Sequence, residues 1–283
     1  MTPEIPVIFA AAGADLIGIL HQPAVAPTLG VVIVVGGPQY RVGSHRQFIL
    51  LARDLAARGF GVLRFDCRGM GDSGGEFPGF KHIEPDIAAA VELLVQRMPS
   101  ITKIVLWGLC DATSAVARVA ARDRRISGVV LLNPWVRSEA SQARAHLKHY
   151  YLQRLVQKDF WTKLTAGKFN PIASARALMR DMLRAFGTAD DSLPPTQDID
   201  TNPLVQRMGE NLQRFTGRML FILSGRDLTA KEFEDATRRS KQWQRIYADD
   251  RVTIRRLDAA DHTFSRRAWR DQVALWTGEW IRN

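Results

Sequence analysis

Three residues far apart in the chain have the types and the order that acyl chemistry needs: Cys110, Asp227 and His262. Cys110 stands in Trp107-Gly108-Leu109-Cys110-Asp111-Ala112. The apolar run Ile104 to Trp107 precedes it, and a small-residue helical stretch, Thr113 to Ala120, follows. Strand, sharp turn and helix are the setting in which the pattern G-x-S-x-G exposes a serine nucleophile; here cysteine replaces the serine and Ala112 the second glycine. A thiolate in that position attacks an acyl carbonyl and forms an acyl thioester, which water or another acceptor then resolves. The nucleophile needs a base, and the base needs an orienting acid. His262, in Ala260-Asp261-His262-Thr263-Phe264, is the expected base, and Asp227, in Ser224-Gly225-Arg226-Asp227, the expected acid. Asp261 is a rival for the acid role, but side chains adjacent in sequence seldom face each other.

The tetrahedral intermediate needs backbone donors for its oxyanion. One is the N–H of Asp111, directly after the nucleophile at a helix start. The other belongs to the loop Gly36-Gly37-Pro38-Gln39-Tyr40 after the strand 31–35. Proline has no N–H, so the choice lies between Gly37 and Gln39 and stays open here. Tyr40 and His45, in and after this loop, are candidate substrate contacts. The Asp111 carboxylate works against a neighbouring thiolate; its side chain is expected to turn into the first turn of the following helix, where negative charge is favoured.

These residues need elements to hold them. Apolar, β-branched runs at 31–35, 61–66, 129–133, 219–224 and 252–257 read as strands, as does the run before Cys110. Helical patterns cover 47–58, 86–96, 231–247 and 267–281. The alternation predicts an α/β fold with a mostly parallel central sheet flanked by helices. It breaks between residues 135 and 215, where 138–164 reads as helix and 190–203 as polar loop. We expect residues 1–134 and 216–283 to form the core and 135–215 an inserted helical cap. Asp227 and His262 each follow a strand and so fall at the sheet edge that carries Cys110, where ligands bind in such sheets. The glycine-rich loop 68–75 lacks the lysine and spacing of a phosphate-binding loop and reads as a structural turn.

Composition narrows the class. The 283 residues, 46% hydrophobic, suffice for one large domain with an insertion. Two cysteines, Cys67 and Cys110, argue against a disulfide scaffold and for a reducing cytoplasm. No apolar run is long enough to cross a bilayer, and the first residues lack the order of a signal peptide. The net charge of +10 is concentrated between residues 134 and 184, with ten Lys and Arg against three Asp and Glu. No nucleic-acid motif accompanies it; a solvated helical face is the ordinary reading, with an anionic membrane surface or an acidic acyl carrier as possible contacts. The basic and apolar residues of 150–158 are read chiefly as a stripe packed on the core. The expected substrate is a small or lipid-like acyl compound, with no metal and no cofactor.

Arg68-Gly69-Met70-Gly71-Asp72-Ser73 after a strand, the Cys110 turn, and the late Asp and His resemble α/β-hydrolases of the serine-aminopeptidase-like branch. Gly36 to Phe48 and Gly108-Leu109-Cys110-Asp111-Ala112 more closely resemble exosortase A system-associated hydrolases of type 1. The resemblance covers most of the chain, less so 135–215, and implies a bacterial protein found with exopolysaccharide and protein-sorting systems. Cysteine at the turn is also similar to dienelactone hydrolases and polyhydroxyalkanoate synthases. The functions to separate are ester or thioester hydrolysis, acyl transfer by the same three residues, and a non-catalytic binding protein on this fold.

Overall fold

The structure is a computed structural model and describes residues 2–37, 39–135 and 203–283. Eight strands form one sheet: β1 (Glu4–Ala11), β2 (Ala14–His21), β3 (Leu29–Val34), β4 (Gly61–Phe65), β5 (Lys103–Leu109), β6 (Ile126–Leu132), β7 (Arg218–Ser224) and β8 (Val252–Leu257). Their spatial order is β1-β2-β4-β3-β5-β6-β7-β8. The β1–β2 and β2–β4 pairings are antiparallel and all the others parallel. Around the sheet lie α1 (Gln47–Ala57), α2 (Glu84–Arg97), α3 (Ala112–Ala120), α4 (Pro203–Arg214), α5 (Leu228–Arg238), α6 (Lys241–Tyr247) and α7 (Arg267–Arg282). This is the α/β-hydrolase fold.

The central strands are buried along their whole length, as β3 and β4 show. A parallel sheet covered by helices demands this, and it explains why their sequences are continuous apolar runs. The chain leaves β3 for β4 on one side and returns to β5 on the other. β3 and β5 are therefore neighbours, yet successive crossovers leave them in opposite directions. Their carboxyl ends open the crevice in which such sheets bind ligands.

Three elements depart from expectation. The hairpin β1–β2, closed at Ala12 and Gly13 with φ of 45° and 83°, extends the sheet beyond the predicted strands. The helix expected over 231–247 is two helices, because Ser240 is extended and starts α6. Of the segment 135–215 expected as a cap, residues 136–202, including the predicted helix 138–164 and the 150–158 stripe, lie outside the described residues. Residues 203–215 are described and belong with the core. Val205, Met208, Leu212 and Phe215 are buried, α4 packs on α3 and α6, and the Trp243 indole donates to the Val205 carbonyl at 3.2 Å. The described core thus includes residues 203–215.

The β1–β2–β4 side holds a buried polar cluster. Arg64 Nε donates to His21 Nε2 at 2.9 Å, and Arg64 also reaches Glu4, which binds Arg53. Burial, reinforced by the Arg64 charge, pushes the His21 pKa from 6.5 down to about 4. The fold thus favours neutral His21, and the unfolded chain binds the extra proton first. The stability this contributes is complete above pH 6.5 and is lost as the pH falls through 6.5 toward 4. The loss amounts to about 3 kcal/mol at most. Urea unfolding across that range should show the decline in the wild type and a flatter dependence in His21→Gln. Parallel curves would refute the assignment.

Candidate active site

Cys110 sits where β5 turns into α3, with φ of 61°. A left-handed non-glycine residue costs on the order of 1–3 kcal/mol and persists only when its surroundings fix it. They do so here: the Cys110 N–H donates to Leu132 O at 2.9 Å. Its carbonyl accepts from the Trp135 N–H at 3.2 Å and from the Thr113 hydroxyl at 2.5 Å. The turn needs close backbone approach. A Cβ on Gly36 would lie 2.0 Å from the Leu109 carbonyl oxygen, and one on Gly108 3.0 Å from Val116. The loop after β3 can therefore lie against the turn only as glycine.

Asp227 and His262 come together from the ends of β7 and β8. His262 Nδ1 lies 2.8 Å from Asp227 Oδ2. With Nδ1–H donating to Asp227, Nε2 is left as the acceptor a base requires. The same carboxylate caps α5, accepting the N–H groups of Thr229 and Ala230 at 3.1 Å each. One carboxylate thus both caps the helix and hydrogen-bonds the imidazole. Asp261, the rival, is held by the Ser265 N–H at 2.9 Å and by the Ser265 hydroxyl.

Asn133 joins these strand ends and was not foreseen as a site residue. It is fully buried with φ of 42°. Its Nδ2 donates to Ser224 Oγ and to the His262 carbonyl, each at 2.9 Å, while its Oδ1 accepts the Ser224 N–H at 2.8 Å. The Ser224 hydroxyl donates to the Asp261 carbonyl at 2.8 Å. One side chain thus ties β6, β7 and the His262 loop together. The available signal was a polar residue ending an apolar strand just before Pro134.

In the loop after β3, the Gly37 N–H donates to Asp111 Oδ1 at 2.7 Å. The Gln39 N–H turns back on the Gly37 carbonyl at 2.7 Å. Of the two candidate donors, Gly37 is thus the one aimed at the residue after Cys110; Pro38 lies outside the described residues. Asp111 makes no side-chain cap bond on α3; its carboxyl meets the first-turn amide of Ala112, as expected, and also engages the Gly37 donor across the crevice. Burial pushes the Asp111 pKa from 3.8 up to about 6, although the amides of Gly37, Ala112 and Asp111 itself, and then His262, pull it back.

A second carboxylate fixes the neighbouring loops. Asp66, fully buried at the end of β4, accepts the Arg41 N–H at 2.5 Å and the Asp72 N–H at 3.1 Å, and is paired with the Arg41 guanidinium. Arg41 also reaches Asp72 at 2.6 Å. Gly71, with φ of 53°, passes so close to Asp66 that a Cβ would lie 2.3 Å from its Oδ2. The glycine-rich loop is therefore a turn built around a buried anion. It also forms a wall: Met70, Phe77 and Phe80 face Gly37, Tyr40 and Asp111 across a cleft of 570 Å³. Tyr40 lines this cleft. His45 does not line this cleft; it lies close enough to Asp261 to favour that carboxylate's charge, and its carbonyl accepts from Arg270 at 2.8 Å. Among the described residues no cluster of His, Cys, Asp and Glu is arranged to hold a metal, and no helix is long and apolar enough to cross a membrane.

An esterase from Pyrococcus furiosus superposes with a TM-score of 0.68 at 16% identity, over 99% of this chain and 92% of its own. A dienelactone hydrolase from Anabaena variabilis gives 0.62 at 15% identity, over 99% and 97%. A lidless α/β serine hydrolase from Xanthomonas campestris gives 0.57 at 16% identity, over 100% and 95%. These likenesses speak to fold. No curated protein matches the sequence. The family described as serine aminopeptidase, S33, matches residues 26–260. Matched over most of its length, the chain belongs to the serine aminopeptidase S33 family of α/β-fold hydrolases.

Proposed function

We propose that the protein is a thiol hydrolase that cleaves an ester or thioester of a small or lipid-like acyl group through Cys110, His262 and Asp227. The observation that carries this reading is Cys110 held in a left-handed turn at the sheet edge where the His262–Asp227 pair, 2.8 Å apart, also stands. His262 Nε2 takes the thiol proton, and Sγ attacks the carbonyl carbon. As the C–S bond forms, the carbonyl π electrons move to oxygen, which the amides of Asp111 and Gly37 receive. The intermediate collapses, the bond to the leaving alcohol or thiol breaks, and His262 returns its proton to that group. Water, deprotonated by His262, then opens the acyl thioester and restores the thiol.

The cleft supports the substrate class. Its volume of 570 Å³ suits a small ligand. Its aromatic walls, Tyr40, Phe77 and Phe80, suit an apolar group, and the charges beside it, Arg41, Asp66 and Asp72, are tied to one another. The same walls favour the second reading, acyl transfer, because an apolar acceptor competes there with water. The part of 135–215 outside the described residues is proposed as the cap, and its cations as the contact with an anionic membrane or an acyl carrier. The resemblance to exosortase-associated hydrolases supports a place beside exopolysaccharide systems. The two buried reduced cysteines support a cytoplasmic setting.

At neutral pH, iodoacetamide should alkylate Cys110 well before Cys67. Cys67 is fully buried, and its burial, with nearby Asp86 and Asp66, raises its thiol pKa. Peptide mapping that finds equal rates would remove the nucleophile and favour a binding protein. Cys110→Ala should lower p-nitrophenyl ester turnover on the order of a thousandfold or more. Added alcohol that yields a new ester instead of acid would identify a transferase.

Asn133 positions His262 through its carbonyl. Asn133→Gly keeps the left-handed backbone and removes the side chain. It should lower kcat about tenfold with little change in KM, and cost about 1–3 kcal/mol of stability through the unpaired Ser224 N–H. Equal losses in kcat and 1/KM, or no loss, would count against a positioning role.

A further inference from the structure

The reaction as written leaves the Asp111 carboxyl group unused and badly placed. It follows the nucleophile directly, where a negative charge opposes both thiolate and oxyanion. Its Oδ1 nevertheless accepts the Gly37 N–H at 2.7 Å, and the amides of Ala112 and Asp111 also favour its charge. Two of these amides, Gly37 and Asp111, are the donors assigned to the acyl oxyanion. The free enzyme therefore carries an anion of its own where the substrate's oxygen must sit. Asp111 also lines the cleft beside Gly37 and Gln39, so it faces the arriving acyl group.

We propose that the Asp111 carboxyl group is a proton-operated gate on the oxyanion site: ionised, it holds the Gly37 donor and repels the developing oxyanion; neutral, it releases that donor and gives the substrate oxygen its own O–H as a further donor. The inference rests on the Cys110 reading above. Asp111 would then touch the reacting oxygen and act as a catalytic residue, donating a hydrogen bond without net transfer of its proton. A carboxylic acid kept neutral by burial can serve in this way.

The groups around it set the direction. His262, from the loop after β8, favours the ionised form when it carries a proton. Cys67, at the end of β4, is itself raised by the Asp111 charge; a neutral Cys67 leaves Asp111 unaffected. Cys110 as thiolate favours the neutral form. Arg41 is engaged by Asp66 and Asp72 and is not a free cation for Asp111. With burial lifting the Asp111 pKa to about 6, the gate opens on the acid side of neutrality.

The test compares wild type with Asp111→Asn, which keeps the shape and a donor but cannot ionise. With p-nitrophenyl butyrate as probe, the ratio of kcat/KM for Asp111→Asn to that for wild type should rise by up to about ninetyfold from about pH 5 to about pH 8, as the wild-type group ionises with a pKa of about 6. Taking the ratio removes the titrations of Cys110 and His262 common to both. A flat or falling ratio overturns the proposal. The Gly37 amide resonance gives a readout that needs no turnover: it should titrate with a midpoint near pH 6 in wild type and not in Asp111→Asn. A Gly37 amide that does not titrate also overturns the gate. Failure of the thiol mechanism appears separately, as Cys110→Ala retaining turnover.

Discussion

The chemistry of this protein depends on one close approach between two stretches of backbone. β3 and β5 pair in parallel, and their carboxyl ends diverge into loop and helix. At that point Gly36 passes so near the Leu109 carbonyl that no side chain fits between them. Because of this contact, Gly37 can present its N–H to the residue after Cys110. A larger residue at position 36 would push the loop away and leave the turn with a single amide for an incoming oxyanion. The strain of a left-handed Cys110 and the closeness of Gly36 belong to the same arrangement: both bring main-chain groups, which cannot rotate away, to the place where charge develops.

Buried polar side chains then fix what the sheet leaves loose. Strand ends would splay if only apolar packing held them, since dispersion has no direction. Asn133 supplies direction, spending its amide on Ser224 and the His262 loop. Asp227 satisfies a helix start and an imidazole with one carboxylate. Such groups are costly to bury unless every bond is made, so each pins several segments at once. The geometry of the three reactive residues is therefore a property of the network more than of any one loop.

Much of this was legible in the sequence, for identifiable reasons. Buried parallel strands are continuous apolar runs, so β3 to β7 stood out; β8, at the sheet edge with Arg255 and Arg256 exposed, was read from its β-branched start. Cys110, Asp227 and His262 each follow such a run, and their placement followed from it. The hairpin β1–β2 was less legible because one face is exposed: its buried residues, such as Val7 and Leu16, alternate with solvent-facing ones, and Ile8 is among the exposed. α4 was missed although Val205, Met208 and Leu212 keep a helical spacing; the polar residues before Pro203 masked its start. Asn133 has partners 91 and 129 residues away, a separation that no local pattern encodes. The Asp111 side chain meets the first amide of its own helix, as the local rule has it, but its second donor lies 74 residues earlier in the chain, where no local pattern points.

The Asp66 hub has a consequence for how this site can change over generations. One buried carboxylate holds both the segment after the oxyanion loop and the glycine-rich loop, and Gly71 touches it with no room to spare. An inserted or deleted residue in either loop would break the shared anchor and disturb both walls of the cleft. Exchange of Tyr40, Met70, Phe77 or Phe80 leaves the anchor intact. Diversification of ligand preference in this lineage is thereby channelled into point replacement on a scaffold of constant loop length.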